Sequence, residues 1–475
     1  MLKGSVMTKS LREKMLRDMQ NKDIFQQAQT YAYNYADGAL ERNVFPTDRA
    51  IKNLEEFIED MPDVPGDPAE ILRQLHEYGS PATVSQIGGR YFGFVTGSAI
   101  PVSLAARWLS DFWDQNTALY VMSPLAAKLE EITESWLRDL LGLHEGVVAG
   151  FVSGTSLAIF CGLAAARCRI FKNNHWDINK KGLNGAPKVR VITGRQAHGS
   201  VLKAIALLGF GIENIEWIDT DAQGRIIPSK VSELDESTIL ILQAGNVSSG
   251  SFDPFDDICS KANRANAWVH IDGAFGLWVA GSKRLKHLTK GIEKANSWSV
   301  DGHKTLNTPY DNGIVLCNDR EALVQALQAS GSYIAYSENR DGMLYTPEMS
   351  RRARIIELWA ALKFLGKEGV DELVFGLHER AVQIGHELAA NGFKLLNDVV
   401  FNQVLVACNN DEITNRTMYH IQKSGECWAG GARWQEKAVI RISVCSWATT
   451  KEDINRSVLA FVAARQKAIQ DMDNT

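Results

Sequence analysis

Between residues 146 and 319, short apolar segments alternate with helix-like stretches, and this alternation is what most constrains the fold of the chain. Buried strands separated by helices are typical of a mainly parallel sheet that is covered by helices on both faces. The alternation therefore predicts an α/β domain. Its strands are expected in the segments GVVAGFVS, KVRVITG, IENIEWI, TILILQAG, AWVHIDGA, NSWSVDG and GIVLCND.

The regions on either side have a different pattern. Residues 9–60 carry apolar side chains at helical spacing, and two long helices are expected at about 350–366 and 369–391. Two strand-like runs, NQVLVAC and AVIRISVCSW, come next, and a final helix follows residue 450. We therefore predict three parts: an N-terminal helical segment (1–85), a large α/β domain (86–349) and an α+β C-terminal domain (350–475).

Composition limits the partners and the compartment. The net charge of −5 comes without a basic stripe, which argues against nucleic-acid binding. The longest uncharged run, residues 91–106, is interrupted by glycines and a proline, so no membrane span is expected, and the N-terminus lacks the apolar core of a signal peptide. Seven cysteines without CxxC spacing suggest reduced thiols in the cytoplasm, and no metal site is expected.

Polar residues follow several of the predicted strands, and each has an ordinary and a functional interpretation. Gly154 and Thr155 open a helix, where they act as a plain cap or leave N–H groups free for an anion. His198 is a polar loop residue or a ring that stacks on a flat ligand. Asp272, after four apolar residues out of five, is a turn residue or a poorly solvated carboxylate that needs a partner. Lys304 is a solvated lysine or a reactive amine.

One ligand explains these residues together, because the ligands of open α/β sheets gather at the carboxyl ends of the strands. Pyridoxal phosphate needs a lysine for its aldehyde, a carboxylate for its ring nitrogen, a stacking group and an anion cup. The residues occur in that combination at successive strand ends, so the sequence predicts a pyridoxal-phosphate site.

The chain resembles the group II pyridoxal-phosphate decarboxylases, which act on aromatic amino acids, histidine or glutamate. The similarity lies in the motifs VSGTSLAIFCGLAAAR, RQAHGSVLKA, AGNVSSGSFDPF, VHIDGAFG, SVDGHKTLN and SRRARIIELWAALKFLG. It implies the fold of type I pyridoxal-phosphate transferases, and decarboxylation of an L-amino acid to an amine and carbon dioxide.

The resemblance also implies a role for each matching residue. Lys304 would bind the cofactor aldehyde, Asp272 would pair with the ring nitrogen, and His198 and Ala274 would lie against the two faces of the ring. The remaining cofactor contacts would be Gly154, Thr155 and His303 at the phosphate and Asn246, in place of the usual threonine, at the ring hydroxyl.

Three further expectations concern catalysis and assembly. Tyr333 matches a loop tyrosine that protonates the substrate carbon, and its presence favours plain decarboxylation over aldehyde formation. Arg351 matches an arginine that either binds a substrate carboxylate or supports the site structurally. The family places the site between two subunits, so we expect a homodimer with a composite active site, to which residues 113–120 contribute across the interface.

Substrate and reaction stay open at this level. Phe92 and Trp113, with Tyr91 and Phe94, either line an aromatic pocket or pack in the core, and the pocket would favour aromatic over acidic amino acids. The alternative activities are a carbon–carbon lyase or an oxidative deamination (aldehyde synthase) on the same scaffold. A catalytically inactive protein that binds pyridoxal phosphate is the alternative of a different class.

Overall fold

The computed structural model of the chain describes residues 10–329, 336 and 338–474. Within this part of the chain there are fourteen α-helices and eleven β-strands, and helices and strands alternate most clearly between residues 146 and 319, where the sequence predicts it. The helices are α1 (Leu11–Asn21), α2 (Asp23–Gly38), α3 (Asp48–Lys52), α4 (Pro68–Gln74), α5 (Pro101–Trp113), α6 (Pro124–Leu141), α7 (Thr155–Asn173), α8 (Ile178–Lys181), α9 (Gly199–Leu207), α10 (Phe255–Arg264), α11 (Arg320–Leu327), α12 (Ile355–Ala390), α13 (Asp411–Ser424) and α14 (Lys451–Asp473).

The strands form two sheets. The seven predicted strands are confirmed as one sheet, in the order β1-β7-β6-β5-β4-β2-β3, in which β7 alone is antiparallel to its neighbours. A second, antiparallel sheet has the order β10-β11-β9-β8. The strands are β1 (Val148–Val152), β2 (Arg190–Gly194), β3 (Ile215–Ile218), β4 (Thr238–Gln243), β5 (Trp268–Asp272), β6 (Ser297–Asp301), β7 (Gly313–Cys317), β8 (Lys394–Leu395), β9 (Gln403–Ala407), β10 (Gly430–Trp434) and β11 (Lys437–Ser443).

Helices cover both faces of the large sheet. On one face α7, α9 and α11 bury a cluster of aliphatic side chains, and on the other face α6, α10 and α12 bury a second cluster. Helix α7 lies close against β5, because a Cβ on Gly162 would come within 2.7 Å of Nδ1 of His270. The core therefore holds the strands, and the helix that begins beside the site, in fixed positions.

The C-terminal sheet packs on α12, α13 and α14 around its own apolar core. The predicted break near residue 366 is confirmed, since Gly366 has φ 57° and interrupts α12. Phe92 lies in this C-terminal core, fully buried, and its N–H donates to the carbonyl of Trp428 at 2.8 Å. Residues 91–92 thus extend the small sheet across the predicted domain boundary.

The N-terminal helices have little core of their own. Neither α1 nor α2 has a buried residue in the single chain. Helix α2 contacts α5 through aromatic pairs, with 4.9 Å between the ring centroids of Phe25 and Phe112. Among the helices of the described residues, none is long and apolar enough to cross a membrane.

Candidate active site

The register of the large sheet brings the predicted site residues to one edge. Asp272, the last residue of β5, pairs with Gln243 of β4 and with Ser299 of β6. Val152 of β1 and Asp301 of β6 both lie opposite Gly313 of β7. The carboxyl ends of β1, β4, β5 and β6 therefore meet at the same edge, where ligands of such sheets bind.

Lys304 lies in the turn that follows β6, and its amine is held by an acidic residue that the sequence analysis missed. Its Nζ is 3.2 Å from Oδ2 of Asp301, whose side chain is buried. Oδ1 of Asp301 accepts the N–H of Thr155 at 2.7 Å, at the start of α7. Its position at the end of a predicted strand, three residues before the lysine, was the only signal in the sequence.

His303 completes this group at the start of α7. Its Nδ1 accepts the N–H of Asn312 at 3.0 Å, and its Nε2 lies 3.5 Å from Oδ2 of Asp301. Burial lowers the pKa of His303, so the ring is neutral near pH 7 and carries its proton on Nε2. Gly154 is beside it, because a Cβ there would be 3.5 Å from Cε1 of the His303 ring.

Asp272 is a buried carboxyl at the end of β5. Its Oδ1 accepts the N–H of Ala274 at 3.2 Å, while the carbonyl of Ala274 accepts the N–H of Asp301 at 2.9 Å. Burial raises the pKa of Asp272, and the interactions of Asp272 with His198 and Lys304 oppose that rise. A buried carboxyl of this kind gains most from a cationic partner such as a protonated ring nitrogen.

His198 stands at the N-terminus of α9, where its ring is oriented by Ser200. The Nδ1 atom lies 2.7 Å from Oγ of Ser200 and accepts the N–H of that residue at 3.2 Å. Although His198 is exposed in the single chain, the surrounding protein lowers its pKa chiefly by desolvation, and Lys304 and Arg441 lower it further. The imidazole is therefore a neutral, fixed ring at the mouth of the site.

Unsatisfied polar atoms test whether these residues fit pyridoxal phosphate. Oγ1 of Thr155 and Nδ2 of Asn246 are both buried without a hydrogen-bond partner in the described part of the chain. The other amide atom of Asn246, Oδ1, accepts the N–H groups of Ser248 and Ser249. Buried polar atoms are rarely left unpaired, so a free hydroxyl and a free amide fit a ligand that carries phosphate and hydroxyl oxygens.

Arg351 lies in a buried ion pair. Its Nη2 is 2.8 Å from Oε1 of Glu130, and its Nη1 donates to the carbonyl of Phe151 at 3.1 Å. Arg340 binds the other carboxylate oxygen of Glu130 at 2.9 Å, so two arginines share one acid. These contacts support the structural alternative for Arg351, because both of its Nη groups are directed at protein atoms.

The expectation that Phe92 lines a substrate pocket is wrong, since the side chain is fully buried in the C-terminal core. Trp113 ends α5 and is 45% exposed, on a helix whose Leu109 and Phe112 are exposed as well. In the single chain this face points to solvent. Tyr333 lies outside the described residues.

The aromatic side chains of Tyr91, Phe94 and Trp428 form a stack, and the sequence pointed only to the first two. The ring centroid of Trp428 is 5.3 Å from that of Tyr91 and 5.6 Å from that of Phe94, with 24° between the ring planes in both pairs. A Cβ on Gly93 would overlap the Trp428 ring, so this glycine is required for the stack. Trp428, which lies in the predicted C-terminal domain, was not predicted from the sequence as a site residue.

Arg441 is a second residue near the site that was not predicted from the sequence. Its Nη1 donates to the carbonyl of Val247 at 2.9 Å, while its Nε is buried without a partner in the described part of the chain. Its positive charge acts to lower the pKa of both Tyr91 and His198, which places the guanidinium within electrostatic reach of both rings. Arg441 therefore adds a cation to the site from the C-terminal sheet.

Comparison with known proteins decides the family. The model of the pyridoxal-dependent decarboxylase conserved domain matches residues 56–407. The chain belongs to the pyridoxal-dependent decarboxylase family. Pyridoxal phosphate is accordingly its cofactor, in agreement with the polar atoms left free at the site.

Individual relatives are more distant. The chain is 27% identical over 334 residues to an acidic amino acid decarboxylase of Mus musculus, an alignment that covers 66% of this chain and 59% of the mouse protein. The crystal structure of Oryza sativa TDC with PLP and tryptamine has a TM-score of 0.87 at 19% identity, covering 98% of this chain and 99% of that one. Rhodiola rosea 4-hydroxyphenylacetaldehyde synthase has a TM-score of 0.80 at 20% identity, covering 98% and 99%. The two structures show the fold of the chain, which is type I α/β.

Proposed function

We propose that this chain decarboxylates an L-amino acid to the corresponding amine and carbon dioxide, with pyridoxal phosphate as cofactor. The observation that carries the proposal is the placement of Asp272 and Lys304 at the ends of neighbouring parallel strands, with His198 close to both. An amine, a buried carboxyl and a flat ring at one sheet edge are the groups that this cofactor requires.

The residues have separate tasks. When bound, pyridoxal phosphate accepts the electron pair that is left on the substrate α-carbon as carbon dioxide departs. Lys304 holds the cofactor through its Nζ and later releases the product. Asp272 keeps a proton on the ring nitrogen, because its own burial makes a positive neighbour favourable. His198 lies against the ring as a neutral imidazole.

Arg441 binds a carboxylate of the substrate in this proposal. The guanidinium has an unpaired Nε and lies within electrostatic reach of His198, and the cofactor contacts proposed here leave it free. Arginine is well suited to carboxylates, since its planar group presents several donors in a fixed arrangement. Tyr333 returns a proton to the α-carbon after carbon dioxide has left.

An aromatic L-amino acid is the proposed substrate class. The stack of Tyr91, Trp428 and Phe94 supports it, because such rings offer edge and face contacts to another ring. Phe94 is 67% exposed in the single chain, so part of this apolar surface is open to a ligand. The relative from Mus musculus is named for acidic substrates, which makes an acidic amino acid the alternative class.

We further propose a homodimer in the cytoplasm. Helix α5 exposes Leu109, Phe112 and Trp113, and α1 exposes Leu11 and Met15. Exposed apolar side chains grouped on a helix face are typical of an interface between subunits. All seven cysteines are buried free thiols, which fits a reducing compartment.

Replacing Lys304 tests the proposed function. The purified wild-type protein should be yellow, and borohydride should fix the cofactor on the peptide that contains Lys304. Lys304→Ala should abolish both this product and carbon dioxide release, whereas Lys290→Ala, at an exposed lysine paired with Asp256, should keep both. A yellow Lys304→Ala protein that borohydride labels on another lysine would refute the assignment.

A further inference from the structure

Asp301 places a negative charge where an anion of the cofactor is expected. Its Oδ1 accepts the N–H of Thr155 at 2.7 Å, the first residue of the 19-residue helix α7. Its Oδ2 lies 3.2 Å from Nζ of Lys304 and 3.5 Å from Nε2 of His303. One carboxylate thus contacts a helix N–H group, an ammonium and an imidazole N–H.

The carboxylate is held there by its backbone. The N–H of Asp301 donates to the carbonyl of Ala274 at 2.9 Å, and its own carbonyl accepts Nε1–H of Trp278 at 2.8 Å. Asp301 also pairs with Gly313 of the neighbouring strand β7 and is 2% exposed. Only a rotation of its side chain can therefore move the charge away from α7.

Thr155 and His303 are also the residues that are expected to hold the cofactor phosphate. The N-terminus of a long helix attracts anions, because its first N–H groups have no partner within the helix. Here one of these groups, the N–H of Thr155, is already taken by Asp301. Two anions at the same helix N-terminus repel one another, and the repulsion is strong in a buried site because little water is present to screen the charges.

We infer that Asp301 is an internal anion that competes with the phosphate of pyridoxal phosphate for the N-terminus of α7, and so weakens the hold of the chain on its cofactor. The inference rests on the proposed cofactor chemistry. The negative charge of Asp301 lowers the affinity of the chain for pyridoxal phosphate, so that bound cofactor can exchange with free cofactor. Its pairing with Lys304 adds a second effect, since Nζ of Lys304 must leave Asp301 before it can bind the aldehyde.

The two effects can be separated with two forms of the cofactor. Both compounds share the ring contacts and Lys304, whereas only pyridoxal phosphate carries the phosphate that the N-terminus of α7 would bind. In the variant Asp301→Asn the amide oxygen can still accept the N–H of Thr155, but the negative charge is gone. The ratio of the two dissociation constants therefore reports specifically on phosphate binding at the N-terminus of α7.

The experiment measures dissociation constants for both compounds on the full-length protein, from the visible absorbance of the bound form. For Asp301→Asn we expect the dissociation constant of pyridoxal phosphate to fall at least tenfold and that of pyridoxal to change less than threefold. Cofactor release from the holoenzyme should slow in proportion. Asp301→Ser, which also removes the charge, should shift the ratio in the same direction.

Asp371→Asn is the matched control, because Asp371 of α12 likewise accepts a main-chain N–H, that of Arg284, and pairs with a cation, the side chain of Arg284. It should leave both constants unchanged. Equal changes for the two compounds, or weaker binding of pyridoxal phosphate in a variant whose unfolding temperature is that of the wild type, would overturn the inference. Failure of the proposed function is distinct, since wild-type protein would then bind neither compound at Lys304.

Discussion

The backbone of Gly154 lies directly over Gly313, so closely that a Cβ at residue 313 would overlap its main-chain atoms. This contact allows the N-terminus of α7 to approach the end of β6, where Asp301 receives the N–H of Thr155. The absence of a side chain at residue 313 of the interior strand β7 is therefore a condition for the anion-binding end of the site.

Gly313→Ala should displace the start of α7 and weaken cofactor binding. We expect the dissociation constant of pyridoxal phosphate to rise at least tenfold, together with a lower unfolding temperature, because the added methyl group has no space. Absorbance titration and thermal unfolding measure the two effects. Gly376→Ala, where a Cβ would meet nothing within 4 Å, should bind the cofactor normally. Normal cofactor binding by Gly313→Ala would contradict the proposed role of this contact.

Arg351→Gln should reduce stability rather than substrate affinity. The variant removes one of the two cations that share the buried Glu130, and the loss of this charge-assisted contact should cost about 2 kcal/mol of unfolding free energy. The Michaelis constant should change less than twofold well below the unfolding temperature. As a control, Lys128→Gln removes an exposed pair with Glu131 on the same helix and should cost about 0.5 kcal/mol or less. A large rise in Michaelis constant at unchanged stability would restore Arg351 as a substrate contact.

Arg441→Gln should reduce substrate affinity rather than stability. We expect the Michaelis constant for the amino acid to rise more than tenfold while the visible absorbance of the cofactor is retained, because a substrate carboxylate would lose its cation. Steady-state kinetics and absorbance spectra test this. The matched variant is Arg433→Gln, at an exposed arginine of the same sheet. Unchanged kinetics in Arg441→Gln would remove Arg441 from the proposed binding site.

His270 should make the protein less stable in acid. It is fully buried beside Ser297, and burial lowers its pKa to about 3. The unfolded chain takes up a proton at this residue near its ordinary pKa of about 6.5, whereas the folded chain does not. The stabilisation is thus complete above that pH and is lost as the pH falls towards 3, by roughly 1.4 kcal/mol per pH unit.

Urea unfolding between pH 4 and pH 8 measures this dependence. The difference between wild type and His270→Asn should grow in favour of the variant as the pH falls, whereas a variant of the exposed His287 should not alter the profile. Parallel profiles for wild type and His270→Asn would show that His270 does not resist protonation in the folded chain.

The strands could be predicted because they are continuous buried runs, and so could the meeting of Asp272 with Lys304, since neighbouring parallel strands end at one edge. The strand β10 was missed because it begins with two glycines and is only partly buried. The error at Phe92 has a similar cause, because apolar spacing indicates burial but not whether a ligand or the protein covers the ring.

The rest of the site depends on contacts that no local pattern reveals. Arg441 and Trp428 come from the C-terminal sheet and reach Tyr91 only through the packing of the small domain. Asp301 ends a strand and looks like part of it, yet its carboxylate turns to the N-terminus of α7. Such relationships are set by tertiary structure.

The product balance of the wild-type holoenzyme with the common L-amino acids, aromatic ones included, decides whether the chain is a decarboxylase. We expect at least one of them to yield carbon dioxide and its amine in equal amounts, without peroxide or ammonia. Peroxide and ammonia with an aldehyde in place of the amine, or no carbon dioxide from any amino acid, would contradict this expectation.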